Sequence, residues 1–336
     1  MGADPEQLVA YAGLVILAFT SIYLGAFSSL PKPKRTGAPS KDDQNKEEEE
    51  EEEDVMPQLA SEDAWLFPVI GSVALFGLYA AIKYFGKEWI NILLGWYFSV
   101  AGVASVSKPS GVLSLSWRTP TFFLFPLGTL PSILFSVYHP KSAVLTNILG
   151  LSFANEAMSL LKLDSFQTGC ILLAGLFFYD IWWVFGTEVM VHVATNLDLP
   201  IKILWPKSIM SPSSRGSMML GLGDIVIPGI FVALALRYDY HRHTTSTSTT
   251  SRTSVSKPYF YAALSAYVAG LGTTMAVMHI FHAAQPALLY LSPACIMAYF
   301  ITASVRGELK ESWAWSDEPP AARDQKDDSA ASKKAQ

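Results

Sequence analysis

The sequence predicts an all-α polytopic membrane protein with about nine transmembrane helices. Hydrophobic residues make up 51% of the 336 residues, and the mean hydropathy is +0.29. The apolar residues are gathered into long stretches between polar blocks, and a helix needs about 20 such residues to cross the hydrocarbon core of a bilayer. Because the stretches are continuous rather than alternating, they favour helices over the strands of a membrane barrel.

Nine stretches have the length and apolarity of a membrane span, with bounds set to within a few residues. In chain order they are Leu8–Leu30, Ala64–Phe85, Trp89–Val106, Thr121–Tyr138, Ala143–Leu161, Thr168–Met190, Met218–Leu236, Pro258–Phe281 and Gln285–Ala303. The fourth is the weakest because Pro126 and Pro131 interrupt it, although spans tolerate proline where neighbouring groups satisfy the freed carbonyls. The first lacks a preceding basic residue and exceeds a signal-peptide core, so it predicts an uncleaved anchor.

The distribution of basic residues predicts the orientation. With an outside N-terminus, the inner segments carry 18 of the 24 lysines and arginines and the outer segments carry 6. Basic residues accumulate in cytosolic loops, whereas acidic residues count little in this rule. The N-terminus is therefore predicted to be lumenal, and an odd number of spans puts the C-terminus in the cytosol.

Three polar segments are predicted to be cytosolic: an acidic disordered loop over residues 31–63, a Ser/Thr-rich loop over 237–257, and a disordered tail over 306–336. The net charge of −5 is dominated by the acidic run Glu47–Glu53 and is not a clue to a partner. No basic patch is interleaved with aromatic residues, so no nucleic-acid partner is predicted. Cys170 and Cys295 lie inside spans without metal-ligand spacing, so neither a metal nor a cofactor is predicted.

Three acidic residues qualify as candidates at membrane depth, where ionisable side chains are costly and mark functional sites. Asp180 and Asp224 lie on consecutive, antiparallel spans and can meet at one depth. Two carboxyl groups that share a site cannot both ionise easily, so one can take a proton from water while the other donates to a carbonyl oxygen. Glu156 lies nearer a cytosolic end, beside Asn155, and is a weaker candidate.

Small and aromatic residues flank the two aspartates. Gly221 and Gly223 surround Leu222, and glycine there permits either close approach of an extended substrate or close helix packing; the spacing alone does not decide. Tyr179 precedes Asp180 and is able to pack over its carboxyl group or to hydrogen-bond to it.

The motifs "YD" at Tyr179–Asp180, "GLGD" at Gly221–Asp224 and "QPALLY" at Gln285–Tyr290 resemble the signatures of the GxGD intramembrane aspartyl proteases. Within that superfamily, "YDIWWVFGTEVMVHVA", "PIKILWP" and the outside N-terminus resemble signal peptide peptidase rather than presenilin. The resemblance is dense from Gly169 to Glu308 and does not extend to the acidic run. A lone GxGD is a weak signal, whereas three motifs in order on spans are a strong one.

The resemblance implies roles for the motif residues. Asp180 and Asp224 would be catalytic, Tyr179, Gly221, Leu222 and Gly223 would shape the active site, and Gln285, Pro286, Ala287 and Leu288 would bind substrate. It also implies substrates that are single transmembrane helices in type II orientation, including remnant signal peptides. The protein would bind these substrates within the lipid bilayer. A helix hides its carbonyls in hydrogen bonds, so such a substrate must unwind locally before cleavage. Homo-oligomerisation is left open.

The C-terminal "SKKAQ" places Lys333 and Lys334 at the spacing of a dilysine retrieval signal, which predicts residence in the endoplasmic reticulum membrane. Two other functions also fit buried acids in a multi-span chain: a transporter or proton-coupled carrier, and an inactive scaffold that holds transmembrane clients. No H-E-x-x-H motif supports a zinc protease, and no nucleophile motif supports a serine protease.

Overall fold

The computed structural model describes residues 5–30, 59–107, 142–197, 199–206, 217–246, 256–281 and 285–317. Within them the chain forms ten helices and one two-stranded sheet. The elements are α1 (Pro5–Ser28), α2 (Ser61–Phe85), α3 (Lys87–Ser107), α4 (Ala143–Leu160), α5 (Phe166–Phe185), α6 (Val189–Asn196), β1 (Lys202–Pro206), β2 (Ser217–Gly221), α7 (Gly223–Ser246), α8 (Pro258–Phe281), α9 (Leu288–Arg306) and α10 (Leu309–Ala314).

The predicted class, a helical multi-pass membrane protein, is confirmed. Five of the described helices are long and apolar enough to cross a membrane. They are Glu6–Ser28, Asp63–Phe85, Phe166–Phe185, Pro258–Phe281 and Leu288–Arg306. The fourth predicted span, Thr121–Tyr138, lies outside the described residues, so the total of nine stays a prediction. The acidic run Glu47–Glu53 and the lysines Lys333 and Lys334 also lie outside them.

Two predicted spans differ from the structure in their secondary structure and in where they end. The span Thr168–Met190 is two helices, because α5 ends at Phe185 with Gly186 as its C-cap and α6 follows separately. The span Met218–Leu236 begins as strand β2, turns helical only at Gly223, and continues to Ser246, well into the segment predicted as a loop. Apolar residues suit a buried strand as well as a helix, so hydropathy did not mark this change.

Helix α7 forms the centre of the bundle and packs against α1, α4, α5, α8 and α9. Its residues from Ile230 to Leu236 are buried on every face, with none more than 2% exposed. A helix that is apolar and buried all round is typical of the core of a large or membrane-embedded protein. The first turn of this central helix carries Asp224.

The tail from Gly307 to Asp317 is ordered, whereas the sequence predicted disorder from residue 306. Gly307 adopts a φ of 69°, which ends α9 with its N–H bonded to Ala303 and Ser304. After α10 the chain folds back onto the start of α5, where Ser316 pairs with Ser165. A short polar segment can therefore be fixed by contacts that its composition does not reveal.

Candidate active site

Asp180 lies in the last turns of α5, where its side chain is only 3% exposed. Its Oδ2 accepts a hydrogen bond of 2.9 Å from the backbone N–H of Leu288, the first residue of α9. The N-terminus of a helix has unpaired N–H groups and a partial positive charge, both of which stabilise a carboxylate. The beginning of α9 therefore holds Asp180 in place.

Asp224 is the second residue of α7 and is half-buried. The carboxyl group of Asp224 lies against Gly221, with Oδ2 3.2 Å from the Cβ position of that glycine, and a charge on Asp180 acts on it electrostatically. Helices α5 and α7 pack against each other, with Asp180 near the end of one and Asp224 at the beginning of the other. The chain thus brings the two aspartates predicted from sequence into one site.

The three residues before Asp224 differ in what surrounds them. A Cβ atom on Gly221 would lie 3.2 Å from Asp224 Oδ2, whereas one on Gly223 would meet no atom of the described residues within 4 Å. Neither glycine has a positive φ, so the left-handed freedom that glycine allows is not used here. Leu222 packs towards Gly150 of α4, and its N–H donates to the Ile201 carbonyl at 3.0 Å. At Gly221 the absence of a side chain allows the Asp224 carboxyl group to lie close to the backbone, and at Gly223 it leaves space beside the chain.

The sheet beside Asp224 has one edge closed by a side chain and one edge that is open as far as the described residues show. Strands β1 and β2 are antiparallel, with Leu204 opposite Met219. The side chain of Asn147 bonds both the N–H and the C=O of Leu204, which closes the outer edge of β1. Leu204 and Met219 are therefore a non-hydrogen-bonded pair, and the N–H and C=O of Met219 point away from β1. Gly221 lies two residues after Met219, so its N–H also points away from β1, and Asp224 Oδ2 lies 3.2 Å from its Cβ position. This edge of β2 is therefore the one beside the carboxyl group of Asp224.

The "QPAL" motif lies mostly before α9 rather than in it, which corrects the predicted span Gln285–Ala303. Pro286, Ala287 and Leu288 are buried, and Gln285 is half-buried. The carbonyl of Ala287 accepts from the N–H groups of Tyr290 and Leu291 at 3.1 Å, which starts the helix. The motif thereby points the N–H of Leu288 at Asp180.

Tyr179 and Glu156 are the other side chains considered from sequence. The ring of Tyr179 contacts α2, with its nearest atom 3.4 Å from the Cβ position of Gly71, and Tyr179 also interacts electrostatically with Asp180. Glu156 lies one turn from the end of α4, beside Asn155, which accepts from Ser28 at the end of α1. Glu156 thus lies towards the end of α4 that contacts the end of α1.

Tyr267 was missed by the sequence reasoning, which considered only acidic residues in the spans. This residue of α8 is fully buried and interacts electrostatically with Asp224. Its hydroxyl group has no hydrogen-bond partner among the described residues. A tyrosine hydroxyl in the middle of an apolar span is the signal that could have identified it, because such a group needs a partner when buried.

The fold is that of a helical multi-pass membrane protein. Two neighbouring carboxyl groups inside its bundle are the groups that acid–base hydrolysis requires.

A family model described as signal peptide peptidase matches residues 47–319. The chain is 34% identical to human signal peptide peptidase, over 95% of this chain and 86% of the human protein. It is 40% identical to a probable intramembrane protease of Schizosaccharomyces pombe, over 79% of this chain and 86% of the yeast protein. It is 48% identical to intramembrane protease 2 of Caenorhabditis elegans, over 55% of this chain and 41% of the worm protein.

The chain belongs to the signal peptide peptidase family. It is an intramembrane protease.

Proposed function

We propose that the protein is an aspartic endopeptidase that cleaves peptide bonds within transmembrane helices of type II orientation, including remnant signal peptides. Asp180 and Asp224 share one proton; the ionised member activates water and the protonated member donates to the scissile carbonyl. The observation that carries this proposal is that α5 and α7 pack against each other and hold Asp180 and Asp224 close enough for the charge of one to act on the other. The titration belongs to the pair, so neither residue is assigned as acid or base.

The transporter alternative was based on the buried acids alone, and membership of a protease family accounts for those acids without it. The scaffold alternative predicts binding of a transmembrane helix without cleavage, and loss of an aspartate would leave that binding unchanged.

The catalytic type is tested with the purified protein in detergent and a model type II helix, with products identified by mass spectrometry. We expect a bell-shaped dependence of kcat on pH, because the pair fails both when it loses its shared proton and when it gains a second one. Chelation with EDTA should leave the rate unchanged, since this mechanism uses no metal. A rate that is flat across pH while chemistry is limiting, or that is lost on chelation, would contradict the proposal.

The open edge of β2 supports a role in holding an unwound substrate. An extended peptide can add to a free strand edge through main-chain hydrogen bonds, which need no particular side-chain sequence. Such a strand would run past Gly223, where the space is open, and would bring a carbonyl towards Asp224. This arrangement would stabilise the extended form that a helical substrate must adopt before hydrolysis.

Replacing Met219 with proline should lower kcat/KM about tenfold, because it removes the N–H that points outward from β2 and one hydrogen bond to the substrate. Proline is tolerated on an edge strand whose N–H faces outward, so the fold should survive. Met219→Ala keeps the N–H and removes the exposed side chain, which makes it the matched control. Equal activities for the two variants would exclude pairing at this edge.

We further propose residence in the endoplasmic reticulum membrane with a lumenal N-terminus and a cytosolic C-terminus. The bias of 18 inner against 6 outer basic residues and the Lys333–Lys334 pair support it. Replacing both lysines with alanine should let some protein reach later compartments, as imaging would detect, while protease activity in extracts stays unchanged. Protection of the intact tail from added protease in sealed microsomes would contradict the orientation.

A further inference from the structure

A polar pocket lies at the end of the bundle where α2, α3 and α6 meet. Its volume is about 310 Å³. The lining residues are Tyr79, Ile82, Lys83, Lys87, His192 and Asn196. None of these residues takes part in the paired-aspartate site.

The pocket presents positive charge on a fixed aromatic base. Lys83 Nζ lies 5.8 Å from the centre of the Tyr79 ring, and the His192 ring meets the same ring edge-on at 5.4 Å. Neither Lys83 nor Lys87 forms an ion pair with a residue that the structure describes. Two exposed lysines that line one cavity, and that have no acidic partner in the described part of the chain, suit an anionic group of the size of a carboxylate.

Helix α6 is held firmly enough to keep its side of the pocket in place. Val193 of α6 packs with Ile82 of α2 in a small hydrophobic cluster. Lys202 Nζ donates to the carbonyls of Ala194 and Leu197 at 2.9 and 3.0 Å, which caps the end of the helix. Asn91 of α3 donates to the carbonyl of Asn196, which joins the third element to the other two.

The pocket lies above the active site along α2. Trp183 Nε1 of α5, one turn beyond Asp180, donates to Ser72 Oγ of α2 at 3.0 Å. From Ser72 to Lys83 the helix rises roughly 16 Å at 1.5 Å per residue. Ser72 lies near the middle of the apolar span Asp63–Phe85, and half of a hydrocarbon core is about 15 Å, so the pocket at Lys83 reaches the membrane surface. The exposed side chains of Tyr84, Phe85 and Trp89 are aromatic residues of the kind that mark this interface.

The occupant follows from the direction of the substrate. In the proposed topology this end of the bundle is lumenal, and a type II helix has its C-terminus there. A signal peptide released from its precursor ends in a free carboxylate at that side. A rise of 16 Å corresponds to about five extended residues or about eleven helical ones, a length compatible with the lumenal part of such a peptide.

We infer that the pocket lined by Lys83, Lys87 and His192 binds the free C-terminal carboxylate of the substrate and so selects helices that have already been released from their precursors. The inference rests on the proposed function. A phospholipid phosphate is also negatively charged, but nothing fixes its distance from the paired aspartates. The C-terminal carboxylate of a substrate that is bound at the aspartates lies at a distance set by the length of the substrate.

The test uses two synthetic type II helices of one sequence, one ending in a carboxylate and the other in a carboxamide. For the wild type in vesicles of neutral phosphatidylcholine, we expect KM to be about fivefold lower for the carboxylate peptide with kcat similar. The variant Lys83→Gln/Lys87→Gln should lose this preference and cleave the amide as the wild type does. Lys310→Gln, an exposed lysine in α10, is the matched control and should keep the preference.

Each other outcome has a definite meaning. Cleavage of neither peptide by the wild type would contradict the proposed function itself. Equal cleavage of both by the wild type, or a preference that survives in the double variant, would overturn the carboxylate pocket while leaving the protease intact. A loss in the double variant that is the same for both peptides, and arises only when anionic phospholipid is added, would assign the pocket to a lipid phosphate instead.

Discussion

Replacing either Asp180 or Asp224 with asparagine is expected to abolish cleavage, with a loss of at least about 10³-fold in kcat. Asparagine has nearly the same shape as aspartate but can neither take a proton from water nor share one with its partner. Because the two groups act as one unit, the double variant should be no slower than either single variant. The measurement is cleavage of a model type II helix by protein purified in detergent, with the amount of folded protein matched between samples.

Glu156→Gln provides the matched control for these variants. It removes the charge of another acidic residue in the bundle, near the end of α4 that contacts the end of α1. We expect it to retain most of the activity. Substantial cleavage by either Asp180→Asn or Asp224→Asn would exclude the shared-proton mechanism, whereas helix binding without cleavage by the wild type would favour the inactive scaffold.

The general architecture could be predicted from sequence because lipid imposes a simple rule. A stretch of about 20 apolar residues in a membrane has few alternatives to a helix. The span Pro258–Phe281 was predicted with the bounds that α8 has. The choice of Asp180 and Asp224 as a pair depended on the same rule, since antiparallel helices bring residues of similar depth together.

The hairpin could not be predicted in this way. The apolar residues of strand β2, with the sequence "SMMLG", also fit the beginning of a transmembrane helix. Its partner β1 begins 15 residues earlier in the chain. Hydropathy measures transfer into an apolar environment, and it does not distinguish a strand that has a partner from a helix that needs none. The contact between Leu288 and Asp180 was hidden for a related reason, because it joins residues that are 108 positions apart.

A buried guanidinium group is one of the contacts that order the tail. Arg237 of α7 is 5% exposed, and its Nε pairs with Asp317 Oδ2. Its Nη1 donates to Ser29 Oγ at 3.3 Å, and its Nη2 donates to the carbonyl of Leu163 at 3.2 Å. One side chain therefore joins the end of α1, the segment before α5, the central helix and the tail.

The pairing with Arg237 favours the ionised form of the Asp317 carboxyl group, which burial would otherwise disfavour. Burial raises the pKa of the Asp317 carboxyl above its ordinary value, and Arg237 opposes that rise and so favours the ionised form. The backbone N–H of Asp317 donates to the carbonyl of Asp164 at 2.7 Å, and the neighbouring ring of Trp315 lies 5.1 Å from that of Tyr238. The tail is thus fixed by an ion pair, by main-chain bonds and by aromatic packing together.

Asp317→Ala is expected to destabilise the folded protein by about 3–5 kcal/mol, because it leaves the charge of Arg237 buried without a counterion. The readout is the thermal stability of the purified protein in detergent, followed by tryptophan fluorescence. The double variant Arg237→Met/Asp317→Ala should recover most of the loss, since it leaves no buried charge and keeps the apolar length of the side chain.

Arg306→Ala removes an arginine that is 35% exposed and pairs with Glu308, and it should cost no more than about 1 kcal/mol. If Asp317→Ala proved as mild as Arg306→Ala, the pair would not fix the tail. If the double variant proved as unstable as Asp317→Ala, the cost would lie in lost packing rather than in an unpaired charge.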